Sequence, residues 1–314
     1  MKVKLSFLFV IVIALIALFL LYDVGGHWDY VLPRRGKKIL AMVLTGGAIA
    51  FSTIVFQTIT NNRILTPSIL GLDSLYMLFQ TFVIYAFGSS HLTSADRNIN
   101  FMISVLLMVG FSGVFYKILF RKEGHRNIYF LLLIGMILGT FFGSVSSFME
   151  VLIDPNEFMM LQDKMFASFN NINSDLLIIS IIAVIGVTVY FLQFIKYLDV
   201  ISLGRDQAVN LGVNYDYVVK RLLVVVAILM SIATALVGPI TFLGLLVVNV
   251  AHQFLKTYQH KYLIFGSILI SIIALIGGQF IVEKVFTFST TLSVIINFIG
   301  GAYFIYLLLK ENKS

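Results

Sequence analysis

Apolar stretches long enough to cross a bilayer recur along almost the whole chain, and this constrains its fold more than any other feature. A hydrocarbon core needs about 20 apolar residues per helix. Stretches of that kind lie near residues 5–22, 39–58, 69–88, 99–120, 128–149, 174–194, 220–238, 262–282 and 291–309. A tenth, Thr241 to Leu255, is shorter and follows the Gly238-Pro239 break, which fits a short or tilted helix paired with its predecessor. Inside lipid every backbone N–H and C=O must be satisfied within the segment, so such a chain is helical. Composition agrees, with 59% of residues hydrophobic and 12% charged, against roughly 25% charged in soluble domains. The expectation is an all-α polytopic membrane protein of about ten transmembrane helices, residues 1–314 forming one transmembrane domain. The first run, Leu5 to Tyr22, follows Lys2 and Lys4; it exceeds a signal-peptide core and lacks a small-residue cleavage site, so it reads as a retained span.

Charge then orients the bundle. With ten spans and a cytoplasmic amino terminus, the inner segments hold 14 of the 22 Lys and Arg and the outer segments 7, with Lys117 inside a span. That bias puts both termini in the cytoplasm. The net charge of +7 is spread over loops rather than gathered in a stripe, which argues against nucleic acid. The exception is Pro33-Arg34-Arg35-Gly36-Lys37-Lys38, four cations in an expected outer loop, placed to dock an acidic external partner. There are no cysteines, so thiol catalysis and thiolate metal sites are excluded. His27, His91, His125, His252 and His260 stand singly at span boundaries without metal-ligand spacing. Asp73 and Lys117 are the ionisable residues within spans, each near a helix end. No phosphate-binding glycine loop, zinc-protease motif or nucleophile elbow is present.

Three local patterns stand out against this background. The polar interruption Asp199 to Tyr217 offers a short helix from Arg205 to Leu211, a stop at Gly212, and Asn214 as the cap of the next helix. Ala208 and Leu211 share one face of that helix, a small apolar knob that suits either a docking surface for a soluble partner or a turn resting on headgroups. Asp154, Pro155 and Glu157 form a helix-start signature, followed by an amphipathic stretch through Phe158, Leu161, Met165 and Phe169 too short to span. Gly135, Gly139, Gly143 and Ser147 form a stripe of small residues, suited to close packing within the chain or to a smooth wall at a subunit interface.

Taken together, several stretches resemble the FecCD-type permeases, the transmembrane subunits of ATP-binding-cassette importers for ferric siderophores, haem and vitamin B12. Leu32-Pro33-Arg34, Gly46-Gly47-Ala48, Gln57 and the run Asn61 to Gly71 are similar to the family's outer Arg-Leu-Pro-Arg motif, its glycine-rich helix and its Asn-Pro-Leu-Ala-x-Pro-x-x-Leu-Gly turn. Leu203-Gly204-Arg205-Asp206-Gln207-Ala208 with Leu211-Gly212-Val213 looks like the family's coupling segment, here 199–218. Gly238 to Leu245 and Ile299 to Leu308 resemble two further signatures. Departures are the missing first arginine of the outer motif, Gln279 and Glu283 with adjacent Lys284 for an outer Asp and Arg, Val248, Asn249 and His252 after the Gly-Leu signature, and Thr290-Thr291-Leu292 without a proline.

The resemblance implies a B12-permease-like importer fold in a bacterial cytoplasmic membrane, working with an ATPase subunit, a second permease subunit, identical or paralogous, and an extracellular substrate-binding protein. It implies no cofactor on this chain, with ATP and Mg on the partner ATPase, and no enzymatic activity. Leu203, Gly204, Asp206, Gln207, Ala208, Leu211 and Gly212 would meet the ATPase. Arg34, Arg35 and Lys284 would dock the binding protein. Gly135, Gly139 and Gly143 would face the pathway, with Phe158 and Leu161 beside its outer gate. The cargo implied is a ferric siderophore, with haem or vitamin B12 as alternatives. An ion-coupled secondary transporter, whose broken helices could also give the Gly238-Pro239 interruption, and a membrane-embedded enzyme are the rival classes.

Overall fold

The structure is a computed structural model and describes residues 1–24, 26–88, 97–119, 128–170, 172–288 and 290–311. Thirteen α-helices run through these residues. The long ones are α1 (Lys2–Leu21), α2 (Trp28–Thr60), α4 (Arg97–Leu119), α5 (Ile128–Leu152), α7 (Ser174–Leu192), α10 (Tyr215–Val237), α12 (His260–Lys284) and α13 (Leu292–Glu311). Between them lie the half-length helices α3 (Leu72–Phe87) and α11 (Leu243–Leu255), and the short helices α6 (Pro155–Met165), α8 (Ile195–Ile201) and α9 (Arg205–Asn210). Among the described residues there is no strand. His91, His125 and the basic residues Arg121, Lys122 and Arg126 lie outside the described residues.

The pattern of burial sorts the helices into a core and a lipid-facing shell. In the most apolar stretches of α2 and α10, 78% and 72% of residues are buried, against 17% in α1 and 22% in α7. Accordingly α2 packs on both α12 and α10, while α1 leans on α12 from outside. The shell exposes Phe7, Val10 and Ile13 of α1, Ile137, Phe141 and Phe148 of α5, and Ile178, Ile182 and Ile185 of α7. Such a surface is stable only where the surrounding solvent is itself apolar, so the chain is a multi-pass membrane protein.

Among the described residues seven helices are long and apolar enough to cross a membrane, and three shorter apolar ones, in α3, α11 and α13, fall at the remaining expected spans; the half-length α3 and α11 have a shared cause. The chain leaves α2 at Asn61, which takes a left-handed φ of +49°, and returns through a single 3-10 turn, Pro67–Leu70, before α3 begins. Likewise α10 stops at Gly238, with φ +101°, and α11 resumes five residues later at Leu243. The two breaks meet, because Thr234 Oγ1 at the end of α10 donates to Asp73 Oδ1 in the first turn of α3 at 3.2 Å. The hydroxyls of Ser68 and Thr241 face the same carboxyl. Non-helical backbone at this depth persists because protein, not lipid, surrounds it.

One boundary departs from expectation. The Arg34–Lys38 run is the amino-terminal part of α2, which starts at Trp28, rather than a loop before a span at residue 39. At 33 residues α2 is about 50 Å long, well beyond a hydrocarbon core of about 30 Å. Its first turns therefore stand outside the membrane and tolerate charge.

Candidate functional site

At the end of the bundle where α1 begins, the polar segment folds into α8 and α9. Two glycines hold α9 in place. Gly204, with φ +98°, precedes it, and Gly212, with φ +82°, follows it. Val213 N donates to Ala208 O at 3.0 Å and Gly212 N to Val209 O at 2.9 Å, the pair of bonds that closes a helix on a left-handed glycine. Asn214 Oδ1 then accepts from Tyr217 N at 3.2 Å and starts α10, as its position in the sequence suggested. Arg205 reaches Asp216 at 3.9 Å across the turn. Leu203, Asp206, Gln207, Val209, Leu211 and Gly212 are exposed. The expected knob of Ala208 and Leu211 does not form, since Ala208 is fully buried in the core while Leu211 is 63% exposed. The apolar surface at this end is instead Leu203, Val209 and Leu211, beside Tyr217 with Arg221 over its ring.

At the opposite end the helical period of α2 sends its cations in different directions. Arg34 and Lys37 point outward, and Arg34 donates to the Tyr30 hydroxyl at 3.2 Å. Arg35 turns inward and donates to the carbonyls of Phe19, Leu20 and Tyr22 at 3.1, 3.1 and 2.7 Å, closing the carboxyl end of α1. Lys38, one turn on, is buried and pairs with Glu283 at 2.6 Å and Asn170 at 3.0 Å. Gln279 donates to both of those acceptors. Lys284 pairs with Asp23 at 2.8 Å and covers the Tyr22 ring. That lysine holds the Asp23 carboxyl below the usual carboxylate range, so the pair persists as pH falls and breaks only once the lowered pKa is crossed. Arg35 is thus committed to main-chain carbonyls of α1, which corrects its expected place on a docking surface, whereas Lys284 keeps a surface pair with Asp23. Arg34 and Lys37 line a cleft of about 530 Å³ together with Asp29, Tyr30, Lys38 and Asn170.

The small-residue stripe of α5 resolves into two functions. A Cβ on Gly135 would come within 3.0 Å of the Leu70 backbone, and one on Gly139 within 3.2 Å of Gly71 Cα. These two glycines let α5 accept the 3-10 turn, so they are packed inside the chain rather than lining an open wall, a correction to their expected role. Gly143 has no such neighbour. The amphipathic segment forms α6 with Asp154 capping Asn156 N at 2.9 Å. Leu161 is fully buried and Phe158 half-buried, and α6 rests on α3. The loop after it docks on the α10 break, where Ser168 N donates to Val237 O at 2.9 Å and Ala167 fills the space a Gly238 Cβ would need. α6, which carries Phe158 and Leu161, and the loop that follows it therefore link α3 to the break in α10.

The sequence reading missed His260, a buried histidine whose ring bridges Asp199 of α8 and Thr58 of α2. No metal-ligand spacing marks it, and its partners lie 61 and 202 residues away.

A buried pair of broken helices, a lipid-facing shell and a compact polar element held at one end make up the architecture of a membrane transport protein. The chain belongs to the FecCD transport family, whose profile matches residues 6–310. It is 68% identical over 313 residues to the petrobactin import system permease protein YclO of Bacillus subtilis, covering 100% of this chain and 99% of that one. It is 39% identical over 281 residues to the petrobactin import system permease protein FatC of Bacillus anthracis, covering 90% of this chain and 79% of that one. Its fold superposes with a TM-score of 0.85, at 20% identity, on a transporter described as a metal-chelate type ABC transporter in an inward-facing conformation, covering 98% of this chain and 99% of that one.

Proposed function

We propose that this chain is the membrane permease of an ATP-driven importer that brings a ferric siderophore, petrobactin, across a bacterial cytoplasmic membrane. The observation that carries the cargo is the 68% identity, end to end, with a permease named for petrobactin import. In this reading residues 1–314 act as one permease domain, segment 199–218 meets an ATPase subunit, and both termini lie in the cytoplasm. The exposed Leu203, Val209 and Leu211 at the end that also holds the start of α1 support this orientation. The exposed Arg34 and Lys37 at the other end dock an acidic surface of an extracellular binding protein. A second permease subunit completes the pathway, with the open Gly143 on the side facing it. The chain itself does no chemistry: ATP and Mg belong to the partner ATPase, and closure of two ATPases displaces α9 and switches access to the pathway.

Uptake of iron-55 tests the cargo. Cells lacking the chain lose uptake from ferric petrobactin and keep it from ferric hydroxamates and haem; the reverse pattern refutes the assignment. Leu211→Asp, which puts a charge on the exposed apolar surface of α9, lowers petrobactin-dependent uptake by about tenfold or more, in line with loss of a central interface residue. It also releases the ATPase from the purified permease. Uptake that persists without an associated ATPase and collapses with the proton gradient would instead establish ion-coupled transport.

A further inference from the structure

The displacement of α9 has covalent routes into the bundle, forward through the turn at 211–214 into α10 and back through α8 into α7. A second, non-covalent route leads elsewhere. Asp199, on α8, accepts at one carboxylate oxygen from both the backbone N of His260 at 2.9 Å and the ring Nδ1 of His260 at 2.6 Å. His260 is the first residue of α12 and is 6% exposed. Its other ring nitrogen, Nε2, lies 2.8 Å from Thr58 Oγ1, in the last turn of α2, and Thr58 is itself tied to Ile54 O at 2.8 Å. One imidazole thus fastens α8 to the ends of the two helices that pack most closely at the centre of the bundle. Because the carboxylate only accepts, Nδ1 is a donor, and the ring orientation is fixed from both sides.

The consequence follows from how α2 and α12 pack. Gly46 of α2 sits so close to Ser271 and Leu275 of α12 that an added Cβ would approach those side chains to 2.7 and 2.8 Å. Interfaces this tight move as units rather than bending. A pull on His260 therefore reaches both helices along their length, whereas the covalent routes lead only to α7 and α10, the chain neighbours of the segment.

We propose that His260 is the positioning residue that transmits motion of the α8–α9 segment to α2 and α12, so that ATP hydrolysis is converted into opening of the pathway. This rests on the reading of 199–218 as the ATPase-facing segment. The role is distinct from a structural clamp, because it sets the yield of transport per ATP and not merely the stability of the fold.

The test uses the complete importer, with its ATPase and binding protein, reconstituted in proteoliposomes and supplied with iron-55 petrobactin. The quantity read is iron transported per ATP hydrolysed. His260→Ala, which cuts both arms, lowers this ratio about tenfold, the scale on which residues in coupling networks act. His260→Asn keeps a donor toward Asp199 and loses the arm to Thr58; Thr58→Val removes the same arm from the other side with a near-isosteric change. Each gives a smaller and equal loss, and the double variant loses no more than either alone. A wild-type ratio in His260→Ala complexes, or additive losses in the double variant, overturns the proposal. The Leu211→Asp complex separates the two levels. If it retains its ATPase and transports normally, the assignment of the segment falls and the role of His260 with it. If it loses its ATPase while His260→Ala keeps the wild-type ratio, only the His260 joint falls.

Discussion

Lys38 shows how far the behaviour of one side chain can depart from its neighbours in a charge run. Its side chain is 9% exposed and that of Glu283 is 12% exposed, so the pair has left most of its water, and Asn170 and Gln279 supply the hydrogen bonds that replace it. Removing one partner of such a pair leaves an uncompensated charge and costs about 3–5 kcal/mol, whereas replacing both by apolar residues of similar size is close to neutral. Glu283→Gln and Lys38→Met should each lower the melting temperature of the purified permease clearly, and Lys38→Met with Glu283→Leu should recover most of the loss. Strictly additive losses would show that the two residues act independently. Half of this was visible in the sequence, where four cations within five residues invited a docking surface. The other half was not, because Glu283 lies 245 residues away and only folding brings it to Lys38.

At the scale of elements the decisive contacts are between backbones. Gly135 and Gly139 of α5 receive the turn that leads into α3, so a side chain at Gly135 must displace the Leu70 main chain, which has no flexible end to yield. Gly135→Val should cost about 1–3 kcal/mol, the usual range for overpacking, while Gly143→Val, with open space around it, should leave stability unchanged. Thermal unfolding of the two variants checks this, and equal losses would contradict the packing. Local signals served well where the cause was local: Asp154 and Asn214 cap the helices they were expected to cap, and Gly212 ends α9. They failed where a tertiary partner decided. Ala208 and Leu211 are three residues apart and share a helical face by spacing, yet the body of the protein covers one and leaves the other exposed. The start of α2 was missed because charged residues are poor markers of a helix that projects beyond the membrane, and α8 because seven residues leave too short a period to read.

For the whole molecule, hydropathy was enough to find the spans, since the bilayer penalises unsatisfied backbone polar groups so heavily that every long apolar run becomes a helix. Hydropathy does not reveal that α3 and α11 start where two breaks meet at Asp73, because a polar residue within an apolar run carries no label for its distant partners. Which end of the bundle faces the cytoplasm is a proposal resting on charge bias, 14 basic residues against 7, and it governs every functional assignment proposed for the two ends. The chain contains no cysteine, so single cysteines can report on orientation without a background to remove. Arg34 and Leu203 are both exposed and lie at opposite ends. Arg34→Cys should react with a membrane-impermeant maleimide in intact cells, and Leu203→Cys only after the membrane is opened. Adding ATPase to opened membranes should protect Leu203→Cys, and adding binding protein to intact cells should protect Arg34→Cys. Labelling from the reverse sides would invert the bundle and place the α9 surface outside, where no ATPase can reach it.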